Sequence, residues 1–228
     1  MKEDIVVIIP AYNPDEKLIQ VIKDLEQNEY VNIVVVNDGS NDIQIFERIK
    51  NKAIIIKHET NQGQGRAVKT GIRYVLDNCK NIRGIITMDA DGQHRVEDLN
   101  NLYKEFSKND DIIILGSRDF LKKNVPLRSK IGNIIISKML AKKTNVYVKD
   151  TQTGMRIIPE KYLKQFEEIK GERFEFAICS IIYFIKNNVP FKELPIQSVY
   201  IDGNSSSHYK PIRDSIKIYR LMHKELKK

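Results

Sequence analysis

Apolar and polar positions alternate in two rhythms along the first half of the chain. Ile5-Val6-Val7-Ile8-Ile9 is an unbroken β-branched run, as in a strand buried on both faces. Asn13-Pro14-Asp15-Glu16 follows, placing Asn13 as a helix N-cap, Pro14 at the first helical position and Glu16 at the third. Leu18, Val21, Ile22 and Leu25 then recur at helical spacing. Residues 33–36 predict a second strand, and Ser40, after the turn Asn37-Asp38-Gly39, is placed to cap a helix through Ile43, Phe46 and Ile49. Residues 53–56 predict a third strand. The loop Asn61-Gln62-Gly63-Gln64-Gly65 opens a helix carrying Ala67, Val68, Ile72, Val75 and Leu76. Strands over 85–88 and 112–115 flank a helix over 98–106.

Strands alternating with helices imply an α/β fold with a mostly parallel central sheet and helices on both faces. Such sheets bind ligands beyond the carboxyl ends of their strands, and there stand Asn13, Asp38, Asp89 and Asp91. The second half is less regular. It predicts a helix over 130–142, a polar turn over 150–156, a largely buried helix over 174–185, a strand over 196–201 and a polar loop over 203–208. Residues 1–210 read as one catalytic domain. Residues 211–228 read as a C-terminal basic amphipathic helix, with Ile212, Ile216, Tyr219, Met222 and Leu226 on one stripe among Arg213, Lys217, Arg220, Lys224, Lys227 and Lys228. Such a helix either lies on a membrane surface or packs on the domain with a solvated cationic face.

Composition narrows the class without deciding it. The 228 residues are 41% hydrophobic and 30% charged, a globular balance. The net charge of +8 suits anionic lipid or phosphorylated small molecules, and no nucleic-acid-binding signature accompanies it. Cys79 and Cys179 lack metal or redox spacing, which fits a reducing, cytoplasmic compartment. No signal-peptide layout opens the chain, and no apolar run approaches the ~18 residues of a membrane span. The expectation is a cytoplasmic protein, peripheral on the membrane face.

Three motifs carry candidate chemistry. In Met88-Asp89-Ala90-Asp91-Gly92-Gln93-His94, two carboxylates two residues apart at a strand end project to one side. Their repulsion is relieved by a cation between them, and hard oxygen ligands suit Mg²⁺ or Mn²⁺ with open positions for diphosphate oxygens. Gln93 continues the spacing. The same residues would also suit a turn in which the carboxylates cap Gly92 and the next helix. Pro10-Ala11-Tyr12-Asn13 gives a rigid strand exit with an aromatic face for a flat base or ribose, or else an ordinary strand-to-helix turn. Asp38 is placed either to accept from a base N–H or to cap a turn.

In this order and spacing, Pro-Ala-Tyr-Asn, Asn-Asp-Gly-Ser-Asn-Asp, Asn-Gln-Gly-Gln-Gly-Arg-Ala and Asp-Ala-Asp-Gly-Gln-His resemble the family-2 glycosyltransferases of the GT-A fold, over about residues 4 to 200. The resemblance implies a nucleotide-sugar site from Pro10, Ala11, Tyr12, Asn13, Asp38, Asp89, Ala90 and Asp91. It implies a metal held by Asp89 and Asp91, with Gln93 as third ligand. Two departures stand out: Asn37 replaces the first acid of a usual pair, and Gln64 replaces a usual basic residue. Arg66 or Lys69 are the available substitutes.

Gly116-Ser117-Arg118, Arg128-Ser129 with Asn133, and Asp150-Thr151-Gln152-Thr153-Gly154-Met155-Arg156 resemble the dolichyl- and polyprenyl-phosphate branch. There the acceptor is a lipid monophosphate, and Arg118, Arg128 and Ser129 match its phosphate positions. The implied reaction is inverting transfer of a sugar from a UDP- or GDP-linked donor to polyprenyl phosphate, for cell-surface glycans. The alternative is transfer to a hydroxyl of a glycan or teichoic-type acceptor, with Glu175 as catalytic base beside Asp91. His94 is read as structural. His208, in the stretch 204–210 between Gly203 and Pro211, suits a lid or an ordinary surface loop. The Gly63-x-Gly65 element lacks the third glycine and the downstream acid of a dinucleotide fingerprint. A membrane surface, an integral-membrane partner or a second copy of the chain are the expected partners.

Two other classes remain. A sugar-1-phosphate nucleotidyltransferase would carry a Gly-rich, Arg-containing loop where this chain has Pro-Ala-Tyr-Asn. A non-catalytic basic module would be indifferent to Asp89→Ala.

Overall fold

The computed structural model describes residues 1–120, 127–197 and 211–226, with the backbone alone for 127–129 and 211–217. Seven strands form one sheet: β1 (Lys2–Ala11), β2 (Tyr30–Asn37), β3 (Ile54–Lys57), β4 (Gly84–Thr87), β5 (Ile113–Arg118), β6 (Arg156–Pro159) and β7 (Phe191–Ile196), in the order β3-β2-β1-β4-β6-β5-β7. β6 runs antiparallel to both neighbours, and the other pairings are parallel. The expected α/β architecture with a mostly parallel sheet is therefore present.

The helices are α1 (Lys17–Gln27), α2 (Gln44–Ile49), α3 (Gln64–Asn78), α4 (Val96–Phe106), α5 (Leu127–Thr144), α6 (Leu163–Glu168), α7 (Glu175–Lys186) and α8 (Pro211–Glu225). They divide by the period of two along β1. Ile5, Val7 and Ile9 face a core with Leu18, Ile22 and Leu102, from α1 and α4. Val6 and Ile8 face a core with Ile72, Phe166 and Ile181, from α3, α6 and α7. An unbroken apolar run from Ile5 to Ile9 in β1 is what two covered faces require.

α8 belongs to the second core. Ile218 and Met222 are buried in it, while Tyr219, Arg220, His223 and Lys224 are exposed. No helix among the described residues is long and apolar enough to cross a membrane.

Local signals and tertiary structure part in four places. β6 grows out of the end of the expected polar turn. The last strand is Phe191–Ile196, where 196–201 was expected; residues 198–201, like the expected lid at 204–210, lie outside the described set. Asn13 does not cap α1. It has φ of 46°, and the helix starts at Lys17, whose N–H donates to Asp15 Oδ1 at 2.9 Å. Ser40 does not cap α2, whose first N–H donates to Asp42 Oδ1 at 2.8 Å.

α3 lies close on β1 because Gly71 has no side chain. A Cβ there would lie 2.5 Å from Ile8 Cγ2. Gly71→Val is expected to overpack this contact and destabilise the protein by about 1–3 kcal/mol, read as a lower denaturation midpoint.

Candidate functional site

The carboxyl ends of β1, β2 and β3 are stitched by backbone and amide groups. Asp38 N–H donates to Ala11 O at 2.8 Å, and His58 N–H to Asn37 O at 2.9 Å. The Asn37 side-chain oxygen accepts from Ser40 N–H, Ser40 Oγ accepts from Asn13 N–H, and Asn13 Oδ1 accepts from Asn41 N–H. Asn13 and Ser40, expected as separate caps, are thus partners across 27 residues. Pro10 lines the cleft beyond β1, Ala11 is buried and Tyr12 is half-buried.

Asp38 is 2% exposed, and both its oxygens are occupied. Oδ1 meets His58 Nδ1 at 2.7 Å and Gln62 N–H at 2.9 Å; Oδ2 meets Asn61 Nδ2 at 2.9 Å and Gly63 N–H at 2.8 Å. A buried carboxylate needs such a set of donors. In this arrangement Asp38 holds the 58–63 segment, which differs from the expectation of a carboxylate open to a base.

β4 ends at Thr87, so Asp89 and Asp91 stand in the turn beyond it and not in strand alternation. Asp91 Oδ1 accepts from Gln93 N–H at 3.0 Å, and Gly92 has φ of 73°, so the turn geometry is realised as well. Ala90 sits half-buried between the two acids. Asp89 Oδ1 accepts from Gln64 Nε2 at 2.6 Å, and its N–H meets His94 Nδ1 at 3.2 Å. Gln64, a departure from the family pattern, therefore fixes the first acid with a neutral donor. Burial pushes the His94 imidazole down to about 4, so it is neutral here, as its structural reading requires.

Gly154 passes directly under the Asp89 carboxylate. A Cβ at 154 would fall 2.6 Å from Asp89 Oδ1 and nearer still to Oδ2. Thr87 Oγ1 anchors this backbone by donating to Gly154 O at 2.7 Å.

Two guanidiniums bias the field at Asp89. Arg156, 3% exposed, is held by Thr153 O, Ser180 Oγ and Ala177 O, and burial lowers it to about 10, which leaves it charged. Arg118 grips Asp150 with two parallel bonds, Nε to Oδ2 at 2.6 Å and Nη2 to Oδ1 at 2.9 Å. Asp150 is fully buried. Asn133 of α5 secures the same turn through Lys149 O, Thr151 N–H and Thr151 Oγ1. Arg128 and Ser129 lie in the first turn of α5, and their side chains fall outside the described set.

Glu175 is buried at the start of α7. Its stem lies against Gly171, and its charge acts on the Cys179 thiol one helical turn on. α7 contributes Phe176 and Ala177 to the cleft lining, with Arg173 just before it.

The acids fit a divalent cation. Burial raises the affinity of Asp89 and Asp91 for protons, and the Asp89 charge raises Asp91 further. That is the signature of a carboxylate pair short of positive charge. Among the described residues no group of three or more His, Cys, Asp or Glu gathers to cage a metal. A hard ion held by two carboxylates, with remaining positions for water and phosphate oxygens, matches this donor set.

The glycosyl transferase family 2 model matches residues 6–166. An uncharacterized protein of Methanocaldococcus jannaschii is 34% identical over 209 residues, 90% of this chain and 85% of that one. The UDP-N-acetylglucosamine–dolichyl-phosphate N-acetylglucosaminyltransferase of Methanococcus voltae is 32% identical over 221 residues, covering 87% and 86%. The dolichyl-phosphate β-glucosyltransferase of Dictyostelium discoideum is 28% identical, covering 93% and 72%. Among solved structures, glucosyl-3-phosphoglycerate synthase of Mycobacterium tuberculosis with phosphoglyceric acid superposes at a TM-score of 0.75 with 12% identity, covering 98% of this chain and 80% of that one. The same enzyme with Mn²⁺, UDP and phosphoglyceric acid gives 0.73 at 12% identity, covering 98% and 78%.

Asp38→Ala would strip four donors of their shared acceptor. It is expected to cost about 2–4 kcal/mol of stability in urea unfolding at pH 7.

Proposed function

The chain belongs to glycosyl transferase family 2, and we propose that it moves a sugar from a nucleoside diphosphate, with a uridine-linked donor first in line, to a polyprenyl monophosphate. The observation that carries this reading is a half-buried Asp89 beside Arg118 and Arg156 in a cleft at the strand ends. The printed activities of the Methanococcus voltae and Dictyostelium discoideum relatives support the acceptor class, and the former supports uridine.

Asp89 and Asp91 would hold Mg²⁺ or Mn²⁺, which when bound supplies charge neutralisation to the departing diphosphate, worth several kcal/mol. Gln64 and the Gly154 backbone orient Asp89 for that task. Pro10, Ala11, Tyr12 and Asn13 form the rim where the nucleoside lies. Asp38 shapes that rim from beneath through the loop it holds. Gln93 serves by capping Asp91 through its backbone N–H. Arg118, with Arg128 and Ser129 at the start of α5, receives the acceptor phosphate, and Asp150 fixes the plane of the Arg118 guanidinium.

An acceptor phosphate oxygen attacks the anomeric carbon opposite the diphosphate. The carbon–oxygen bond to the diphosphate breaks as the new one forms, the nucleoside diphosphate leaves with the electron pair, and the configuration inverts. A phosphate acceptor is already anionic and has no proton to lose, so the reaction needs no general base. The enzyme works peripherally on the cytoplasmic membrane face, with the exposed Tyr219, Arg220, His223 and Lys224 of α8 toward the lipid headgroups. Residues 1–210 supply the catalytic domain and 211–228 its basic helix. An integral-membrane partner or a second copy can complete the assembly.

Incubation with labelled UDP-sugars, Mn²⁺ and undecaprenyl monophosphate is expected to move label into the organic phase. Label that stays with a water-soluble glycan would overturn the acceptor assignment. Asp89→Asn is expected to reduce the transfer rate at least about a hundredfold. Gly154→Ala, which displaces the Asp89 carboxylate, is expected to lower kcat by about a hundredfold; wild-type kcat in that variant would remove the positioning role of Gly154.

A further inference from the structure

His58 directly follows β3, at the start of the segment that hangs on Asp38. The residue is 8% exposed and has a partner on each ring nitrogen. Nδ1 lies 2.7 Å from Asp38 Oδ1, and Nε2 lies 2.9 Å from Thr70 Oγ1 on α3. An ionised carboxylate only accepts, so the Nδ1 proton points to Asp38. In the neutral ring Nε2 is then an acceptor, and the Thr70 hydroxyl is its donor. The result is a buried chain, Thr70 to His58 to Asp38, that crosses from α3 to the end of β2.

This chain closes a ring. The 58–63 segment leaves β3 with the His58 backbone tied to Asn37 and returns to α3 with Gln62 and Gly63 N–H tied to Asp38. Its middle is pressed against the 38–40 turn, where a Cβ on Gly39 would lie 2.6 Å from Asn61 N. The residue after Gly63 is Gln64, whose amide holds Asp89. The nucleoside rim and the diphosphate end of the cleft are therefore linked through one set of hydrogen bonds with His58 at its centre.

We propose that His58 is a positioning residue of the donor site: locked by Thr70, it fixes Asp38, and through Asp38 it sets the 61–64 segment and Gln64 against Asp89. This rests on the donor-site reading above. A histidine that only filled space would affect stability and leave nucleotide affinity unchanged. A positioning histidine must show in nucleotide affinity, and through the Thr70 hydroxyl in particular.

The test is calorimetric binding of UDP and of GDP, each with Mn²⁺, to the full chain, together with the melting temperature. Thr70→Val keeps shape and removes the hydroxyl; Thr70→Ser restores it. His58→Leu removes both bonds, and His58→Asn keeps an amide N–H toward Asp38. Thr70→Val is expected to weaken UDP binding roughly fivefold, as one lost hydrogen bond predicts, with Thr70→Ser within about twofold of wild type. His58→Leu is expected to weaken it more, and His58→Asn to fall between. UDP affinity unchanged in Thr70→Val and His58→Leu would overturn the inference, as would Thr70→Ser as weak as Thr70→Val. If His58→Leu does not fold, the isosteric threonine pair decides alone. Wild-type protein that binds neither nucleotide would instead remove the donor-site reading, and this inference with it.

Discussion

A carboxylate held half-buried at a strand end, short of positive charge, is the constraint around which this structure is arranged. Asp89 cannot be stable there unaided, because desolvation favours its neutral form. The chain answers with distributed, partial compensation. Gln64 gives a neutral hydrogen bond, and Arg118 and Arg156 give charge at longer range, itself moderated by Asp150. None of these neutralises the neighbouring Asp91, whose proton affinity the Asp89 charge raises. The remaining deficit is what a divalent ion with its diphosphate would fill.

Close backbone approach makes that arrangement possible. Gly154 lets the turn leading into β6 pass beneath the Asp89 carboxylate, and Gly63, with φ of 109°, lets the loop before α3 meet the backbone at Glu172. Both contacts bring distant stretches of chain to the same cleft without a side chain between them. The antiparallel β6 has the same consequence. Its first residue, Arg156, enters the site opposite Thr87, where β4 ends.

The acceptor side follows from the same geometry. Asp150 has no exposed surface, yet it accepts the bidentate grip of Arg118. A guanidinium so held keeps one orientation, as the phosphate role proposed for Arg118 would need.

The apolar runs of β1, β2 and β4 and the polar residues ending them made the parallel sheet and the place of its cleft legible in the sequence alone. Hydrophobic periodicity is local, and each run reports its own burial. The ordered motifs likewise offered Asp89, Asp91 and Arg118 as candidate site residues. What the sequence left undetermined is who bonds to whom. Asn13 and Ser40 each carried a capping signal, and the fold pairs them with each other instead. Asp38 looked like a ligand contact and became the anchor of a loop through His58, a residue with no local signal at all. Gln64 looked like a loss and became the support of Asp89. These outcomes depend on pairings across 20 to 27 residues. Only the packed tertiary structure fixes them, because a polar group's partner is chosen by the burial it shares with another part of the chain.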